Sequence, residues 1–213
     1  MTRLFIPIFV LALALHGSAC GDDAGTDGSG SDLSGENSEA SDECTASCEG
    51  GTPSTYPSGP YASDESVVGK TLPDITFTTP EGESKSFSDL REAGGKTLML
   101  ISTTAGWCTA CIEEQPKLEG FYQKYGCDGL EVLVAIFEDL NFNPATAANA
   151  KEWQLSYGLS FPVVADTDNA LGDFYDTGAA PLNMLVDLCT MEVLYSGVGF
   201  DESAVTALIE SNL

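Results

Sequence analysis

Two cysteines stand where an apolar run gives way to a helix-forming segment, in the sequence Trp107-Cys108-Thr109-Ala110-Cys111. The run before them, Leu98 to Ile101, is typical of a strand that is buried on both faces. A Cys-x-x-Cys pair in the first turn of a helix places the first sulfur near unpaired N–H groups and the positive end of the helix dipole, which favours the thiolate. The pattern therefore predicts a redox pair, with Cys108 as the nucleophile and Cys111 as the resolving thiol.

The same spacing also occurs in half of a zinc site, which needs two further Cys or His ligands. The chain has a single histidine, His16, and it lies in a segment that we expect to be removed on export. We therefore predict neither a metal nor a cofactor.

Two prolines extend the pattern. Pro116 comes five positions after Cys111, and Gly178-Ala179-Ala180-Pro181 precedes the apolar stretch Leu182 to Val186. Together with the cysteine motif they resemble the thioredoxin-like superfamily, specifically its TlpA/ResA-like (redoxin) branch of periplasmic thiol-disulfide oxidoreductases, over about residues 67 to 213. The resemblance implies that Pro181 is cis and faces the cysteines, which leaves the backbone at Ala180 to pair with a substrate strand.

The order of the elements agrees with that resemblance and predicts an α/β, thioredoxin-like fold: a mixed central sheet flanked by helices, with an added N-terminal β-hairpin. Apolar runs without alternation predict parallel strands, and Asn143 is expected to cap one helix and Asp201 the last. The predicted elements are a hairpin at 75–87, parallel strands at 97–103 and 132–137, helices at 143–157 and 169–175, a strand at 161–165, an antiparallel pair at 182–187 and 192–196, and a final helix.

A third catalytic residue is implied by the resemblance. Thioredoxins proper carry a buried Asp six residues before the first cysteine, where this chain has Ser102. ResA-like proteins instead carry a Glu three residues after the second cysteine, which is Glu114 here, on the same helix face as Cys111. Its carboxylate can accept the resolving proton, while its charge opposes thiolate formation and favours a reductant over an oxidant. The alternative is that Glu113 and Glu114 are solvated acids in a first helical turn.

Residues 1–19 have the pattern of an export signal: Arg3, an apolar core from Leu4 to Leu15 that is short for a membrane span, and small residues before Cys20. The placement of Cys20 resembles a bacterial lipoprotein, in which cleavage leaves a lipidated first cysteine. Plain cleavage after Ala19 is the alternative. Both place the protein outside the cytoplasm, and the first predicts a lipid anchor on the periplasmic side of a cell-envelope membrane.

Residues 20–66 are predicted to be an acidic, disordered tether, and 67–213 a single domain. Positions 21 to 66 contain eleven Asp or Glu, no Lys or Arg, and mostly small polar residues. The whole chain has 33 acidic and 8 basic residues, for a net charge of −25. Such acidity argues against nucleic-acid partners and against electrostatic binding to anionic lipid.

The remaining cysteines are even in number once Cys20 is set aside, as expected in an oxidising compartment. In the expected fold Cys127 and Cys189 lie at the sheet end away from the active site, so a structural disulfide between them is predicted. Cys44 and Cys48 are close enough in sequence to close a small loop or to form a second redox pair, and unpaired thiols are the further alternative for these four cysteines.

The predicted function is a thiol-disulfide oxidoreductase that reduces exported protein substrates. A membrane thiol reductase is implied as its electron donor. Trp107 is expected to pack beside the site, where it would contact substrate, or to belong to the core. The runner-up is a thiol peroxidase of the peroxiredoxin-like redoxins, which Gly69 to Asp74 also resembles. That chemistry needs a Thr shortly before the reactive Cys and a downstream Arg, whereas position 105 is Ala and Arg91 lies upstream. A Sco-type copper chaperone would need a histidine ligand, and a redox-inert binding module would not need the cysteine pair.

Overall fold

The computed structural model describes residues 46–48, 55–175 and 179–213. The predicted signal peptide, Cys20 and Cys44 lie outside these residues. The chain divides into two units, Met1–Glu39 and Ala40–Leu213, and the described residues all belong to the second. Within them, no helix combines the length and apolar character that a membrane span requires.

A seven-stranded sheet runs through the domain in the order β2-β1-β5-β4-β3-β6-β7. Strands β3, β4 and β5 are parallel, and β1, β2, β6 and β7 are joined to their neighbours by antiparallel pairing. The strands are β1 (Thr76–Thr78), β2 (Ser84–Ser86), β3 (Leu98–Ala105), β4 (Leu130–Glu138), β5 (Val163–Ala165), β6 (Leu182–Asp187) and β7 (Val193–Val198); the helices are α1 (Phe87–Glu92), α2 (Thr109–Tyr125), α3 (Ala147–Tyr157) and α4 (Glu202–Asn212), with a 3-10 helix at Ala170–Phe174.

Both faces of the sheet are covered, which explains why the central strands lack alternation. All eight residues of β3 are buried. Leu98 and Leu100 belong to a core with residues of α2, α3 and α4, whereas Met99 and Ile101 belong to a second core with residues of α1 and the 3-10 helix. Successive strand residues point to opposite faces, so a continuous apolar run is what this position requires.

Two predicted helix starts have different outcomes. Asp201 caps α4 as predicted, because its carboxylate accepts a hydrogen bond from Ala204 N at 3.0 Å. The predicted start of α3 at Asn143 is wrong: Thr146 is the N-cap and forms a capping box with Asn149. Asn143 instead donates hydrogen bonds to the carboxylate of Asp139 and belongs to the preceding loop.

The predicted end of the tether at residue 66 is too late, because described residues before it pack on the domain. The hydroxyl of Tyr56 donates to Leu72 O at 2.8 Å, and Ala62 N donates to Thr71 O at 2.8 Å. Cys48 is only 6% exposed and is covalently bound to the domain. The composition of this segment is poor in apolar groups, but an aromatic side chain, backbone hydrogen bonds and a disulfide hold it in place.

The predicted Cys127–Cys189 disulfide is wrong. Cys189 is bonded to Cys48, with the two Cα atoms 5.6 Å apart. This pairing also excludes the small Cys44–Cys48 loop, because a sulfur forms one disulfide at a time. Cys127 is disulfide-bonded as well. The prediction failed because it treated Cys48 as part of a detached tether.

Removing this disulfide by the double substitution Cys48→Ser and Cys189→Ser is expected to lower the free energy of unfolding by about 2–5 kcal/mol. The reason is that the bond joins residues 141 positions apart and so restricts the unfolded chain strongly. Urea unfolding of the oxidised proteins measures the loss. After full reduction, wild type and variant should nearly coincide; equal stability of the two oxidised proteins would contradict the expectation.

Candidate active site

The cysteine pair lies at the N-terminus of α2, immediately after β3. Cys108 is the N-cap of the helix, and its Sγ accepts a hydrogen bond from Cys111 N at 3.1 Å. The two sulfurs are bonded, with Cα atoms 5.3 Å apart, so the structure shows the oxidised form. Cys108 is 5% exposed and Cys111 is 0% exposed. Solvent therefore reaches the first sulfur before the second.

The Ala180–Pro181 peptide is cis and lies beside the cysteines. The carbonyl oxygen of Ala180 is 3.7 Å from Cys108 Sγ. On the far side, Pro181 O accepts a hydrogen bond from Gly199 N at 2.8 Å. The segment that the resemblance assigns to substrate binding therefore faces the first cysteine.

A hydroxyl pair holds the next residue of this segment. Thr103 Oγ1 accepts a hydrogen bond from Leu182 N at 2.9 Å and lies 2.9 Å from the hydroxyl of Tyr175. Burial raises the pKa of Tyr175 to about 12, although its hydrogen bond with Thr103 lowers that pKa by a smaller amount. Tyr175 therefore stays protonated at neutral pH and the contact with Thr103 is a neutral hydrogen bond.

Glu114 is buried behind the cysteines, at 4% exposure, whereas Glu113 is exposed. Glu114 Oε1 accepts from Ser102 Oγ at 2.9 Å, and Oε2 accepts from Asn183 Nδ2 at 3.1 Å. Burial raises the pKa of Glu114, and the hydrogen bonds from Asn183 and Ser102 partly oppose that shift. Glu114 is therefore not a solvated surface acid.

The network extends from Glu114 towards the cis-proline segment. Asn183 Nδ2 also donates to Gly199 O at 3.1 Å, and the amide of Gly199 is the group that bonds Pro181 O. Glu114, Pro181 and Gly199 line one side of a cleft of about 240 Å³ together with Phe200. Glu114 therefore borders this cleft although it is only 4% exposed.

Trp107 is half-buried next to the disulfide and is held from three sides. Its Nε1 donates to Glu138 Oε2 at 2.8 Å. Its ring packs edge-on against Phe137 at 6.3 Å between centroids and stacks on Phe142 at 5.4 Å. The indole therefore forms a fixed wall beside Cys108.

Sequence reasoning missed several residues that support the site. Asn183 is the one of these residues that has a local signal in the sequence: it interrupts an apolar strand, and a buried amide side chain needs hydrogen-bond partners. Thr103, Tyr175 and Glu138 carry no such signal, because their partners are far away in sequence.

The fold is shared with solved structures. A thiol-disulfide oxidoreductase from Bacteroides fragilis superposes with a TM-score of 0.54 at 18% identity, covering 67% of this chain and 99% of that one. A thioredoxin-like protein from Aeropyrum pernix gives a TM-score of 0.53 at 22% identity, covering 65% and 89%. At such identities the likeness concerns the fold, and it confirms the predicted thioredoxin-like class.

Proteins with related sequences show which kind of thioredoxin-like protein this chain is. The thiol-disulfide oxidoreductase ResA of Bacillus thuringiensis is 28% identical over 130 residues, covering 61% of this chain and 69% of that protein. ResA of Bacillus subtilis is 27% identical over 128 residues, covering 60% and 66%. The chain is a TlpA/ResA-like protein of the thioredoxin superfamily and an oxidoreductase. It belongs to the AhpC/TSA family, whose pattern matches residues 68–192.

Proposed function

We propose that this protein is a thiol-disulfide oxidoreductase that reduces disulfides of exported proteins through Cys108 and Cys111. The observation that carries the proposal is the bonded cysteine pair at the start of α2, 3.7 Å from the carbonyl of Ala180, with the buried Glu114 on the same helix. The names of the ResA relatives agree with this chemistry.

In the reduced protein the reaction begins at Cys108. Its thiolate attacks one sulfur of the substrate disulfide, the substrate S–S bond breaks, and the other substrate sulfur leaves as a thiolate and is protonated. Cys111 then loses its proton to the Glu114 carboxylate and attacks Cys108 Sγ. The Cys108–substrate bond breaks, the second substrate thiolate leaves, and the Cys108–Cys111 disulfide forms. Two electrons have passed to the substrate.

The helix start favours this order of events. A sulfur at the N-cap accepts the amide hydrogen of Cys111 and faces the positive end of the helix dipole, and both stabilise its thiolate. Trp107, Ala180 and Pro181 surround it and provide the contact surface for the substrate strand. Cys111 has no exposed surface, so its proton needs an internal acceptor.

We also propose an envelope location for this activity, with residues 1–19 as the signal peptide and a lipid on Cys20 as the anchor on the periplasmic side. A dithiol reductase that works outside the cytoplasm needs a supply of electrons there, and a membrane thiol reductase is the proposed donor. The mass of the mature N-terminus tests the anchor, because an unmodified Cys20 would exclude it.

The peroxidase alternative is not favoured by the site. Ala105 stands where that chemistry needs a threonine. Arg91 donates hydrogen bonds to Leu188 O and Cys189 O, which follow the C-terminal end of β6, whereas Pro181 precedes the N-terminal end of that strand. The guanidinium of Arg91 is thus used at the other end of the sheet.

The two functions are separated by two assays on the wild-type protein. We expect dithiothreitol-dependent reduction of insulin well above the uncatalysed rate, and peroxide consumption no faster than with buffer and thiol alone. Fast peroxide consumption without insulin reduction would overturn the proposal in favour of the peroxidase.

A further inference from the structure

Two bulky apolar side chains project into solvent beside the active site. Leu140 is 73% exposed and Phe142 is 66% exposed, and both lie in the loop that follows β4. The ring of Phe142 stacks on Trp107, the residue next to Cys108. Exposed apolar side chains that occur two positions apart in one loop, beside a residue that flanks a reactive group, indicate a contact surface rather than ordinary surface variation.

The loop is held in a single shape. Asp139 Oδ1 accepts hydrogen bonds from Asn141 N at 2.7 Å and Asn143 N at 2.9 Å. Phe142 has a φ of 61°, a left-handed conformation that is unfavourable for a bulky side chain. The backbone bonds of the loop therefore keep an apolar ring in a costly conformation and on the surface, next to the indole of Trp107.

A glycine before Trp107 lets this loop sit against the active-site turn. A Cβ atom on Gly106 would lie 2.7 Å from Leu140 N and 2.8 Å from the carbonyl carbon of Asp139. Any larger residue there would push the two segments apart. The position of Leu140 is thus fixed relative to the cysteine turn.

Behind the loop lies a groove of about 400 Å³, bounded by α3 and the start of α2. Its apolar walls include Ile112, Trp153 and Tyr157. Asp139 and Glu152 add carboxylates, and none of the described residues that line it is basic. The hydrogen bonds from Asn143 and Asn141 lower the pKa of Asp139, so this carboxylate is charged at neutral pH.

The groove borders the active-site turn, because Gly106, which lines it, directly precedes Trp107 and Cys108 in the chain. Trp107 is next to Cys108 and stacks on Phe142, so a substrate chain bound at Cys108 against Ala180 and Pro181 can extend over Trp107 and Phe142 towards the groove. The net charge of −25 on the whole protein repels acidic chains and attracts basic ones.

We propose that Leu140, Phe142 and the groove behind them form a docking surface for the substrate polypeptide that flanks the attacked disulfide. The surface selects segments that combine a bulky apolar residue with lysine or arginine. The apolar residue is buried against Leu140 and the groove walls, and the cation lies near Asp139 and Glu152. This inference rests on the reductase function proposed above and specifies its substrate class.

The test uses three short disulfide-bridged peptides, with leucine and lysine, serine and serine, or leucine and glutamate flanking the cysteines, and a small aromatic disulfide as the reference. For wild type, kcat/KM should be about tenfold higher for the leucine–lysine peptide than for the serine peptide, the value of roughly 1.4 kcal/mol of apolar contact. The leucine–glutamate peptide should be several-fold slower than the lysine peptide, and added salt should narrow that gap.

Leu140→Ser, alone and with Phe142→Ser, should reduce the preference between the leucine–lysine and serine peptides to within about twofold. Leu155→Ser is the matched control, because Leu155 is equally exposed at 73% and is not among the described residues that line the groove. Its preference should equal that of wild type. The single Leu140→Ser variant guards against a disturbed Trp107, since Leu140 does not stack on the indole.

The outcomes separate the docking surface from the reductase function. A wild type that reduces all three peptides at one rate overturns the docking surface and leaves the reductase function standing. Equal loss of preference in Leu140→Ser and Leu155→Ser overturns it too. A wild type that reduces no disulfide, including the small reference, overturns both.

Discussion

Replacing Cys108 by serine is expected to abolish disulfide exchange, with kcat/KM for insulin falling by roughly a thousandfold or more. Cys111 cannot take over the first attack, because it is completely buried and Cys108 is the sulfur that faces Ala180 O. A serine hydroxyl at the same N-cap keeps the helix capped but is neither acidic nor nucleophilic enough at neutral pH. The loss is therefore chemical and should leave the fold intact.

Cys111→Ser is the informative partner of that variant. Cys108 can still attack, but the mixed disulfide is not resolved, so a covalent adduct with substrate should accumulate on non-reducing gels. Alkylation of the reduced wild type should modify Cys108 first. If Cys111 is alkylated faster, or if Cys108→Ser keeps its activity, the two roles have been assigned the wrong way round.

The parts of the site that the sequence predicted are local or follow from resemblance. The cysteine pair needs only an apolar strand and a helix start, and β3 and α2 supply them at Leu98–Ala105 and Thr109–Tyr125. The cis peptide before Pro181 came from the family resemblance and is present in the structure. Both predictions depend on few residues, the first through the geometry of a strand and a helix start and the second through the resemblance alone.

The parts that the sequence did not predict depend on which distant segments meet. Ser102 and Asn183 are opposite each other only because β6 pairs with β3 in one particular register. Had β6 been shifted by one residue, Asn183 would point to the other face and Glu114 would lose a donor. Hydrogen-bond partners of this kind are set by register, which the composition of a strand does not encode.

The disulfide error has a related cause. Composition correctly identified a segment poor in apolar residues, but composition alone does not exclude attachment to the domain. Cys48 reaches Cys189 across 141 positions of sequence. An even number of cysteines does not predict which cysteines pair, because six cysteines allow about fifteen pairings.

The second large effect concerns Glu114. Glu114→Gln should slow the resolving step by about a hundredfold, the size expected for loss of a positioned general base, while the first attack on substrate stays close to wild type. The amide retains the volume of the acid and can still accept from Ser102, but it takes no proton from Cys111. Single-turnover mixing with a disulfide peptide should show a mixed disulfide that forms normally and decays slowly.

The pH dependence distinguishes a base from a structural role. Burial raises the pKa of Glu114 above its ordinary value of 4.5, so its carboxylate appears only as the pH rises through that raised pKa. The resolving rate of wild type should increase across that window, and Glu114→Gln should lack the increase. The contribution of Glu114 to the free energy of unfolding changes with pH in the opposite direction. The folded state holds this proton more tightly, so the contribution is complete below about pH 4.5 and is lost as the pH rises through the raised pKa.

Glu113→Gln is the matched control, because it removes a neighbouring charge from the exposed side of the same helix turn. It should leave both the resolving rate and its pH profile unchanged.

Asn183→Ala provides a further comparison. It removes a hydrogen-bond donor that opposes the effect of burial, so the pKa of Glu114 should rise and the pH window of the resolving step should move upward. An unshifted profile in Asn183→Ala, or a normal resolving rate in Glu114→Gln, would remove Glu114 from the proton path.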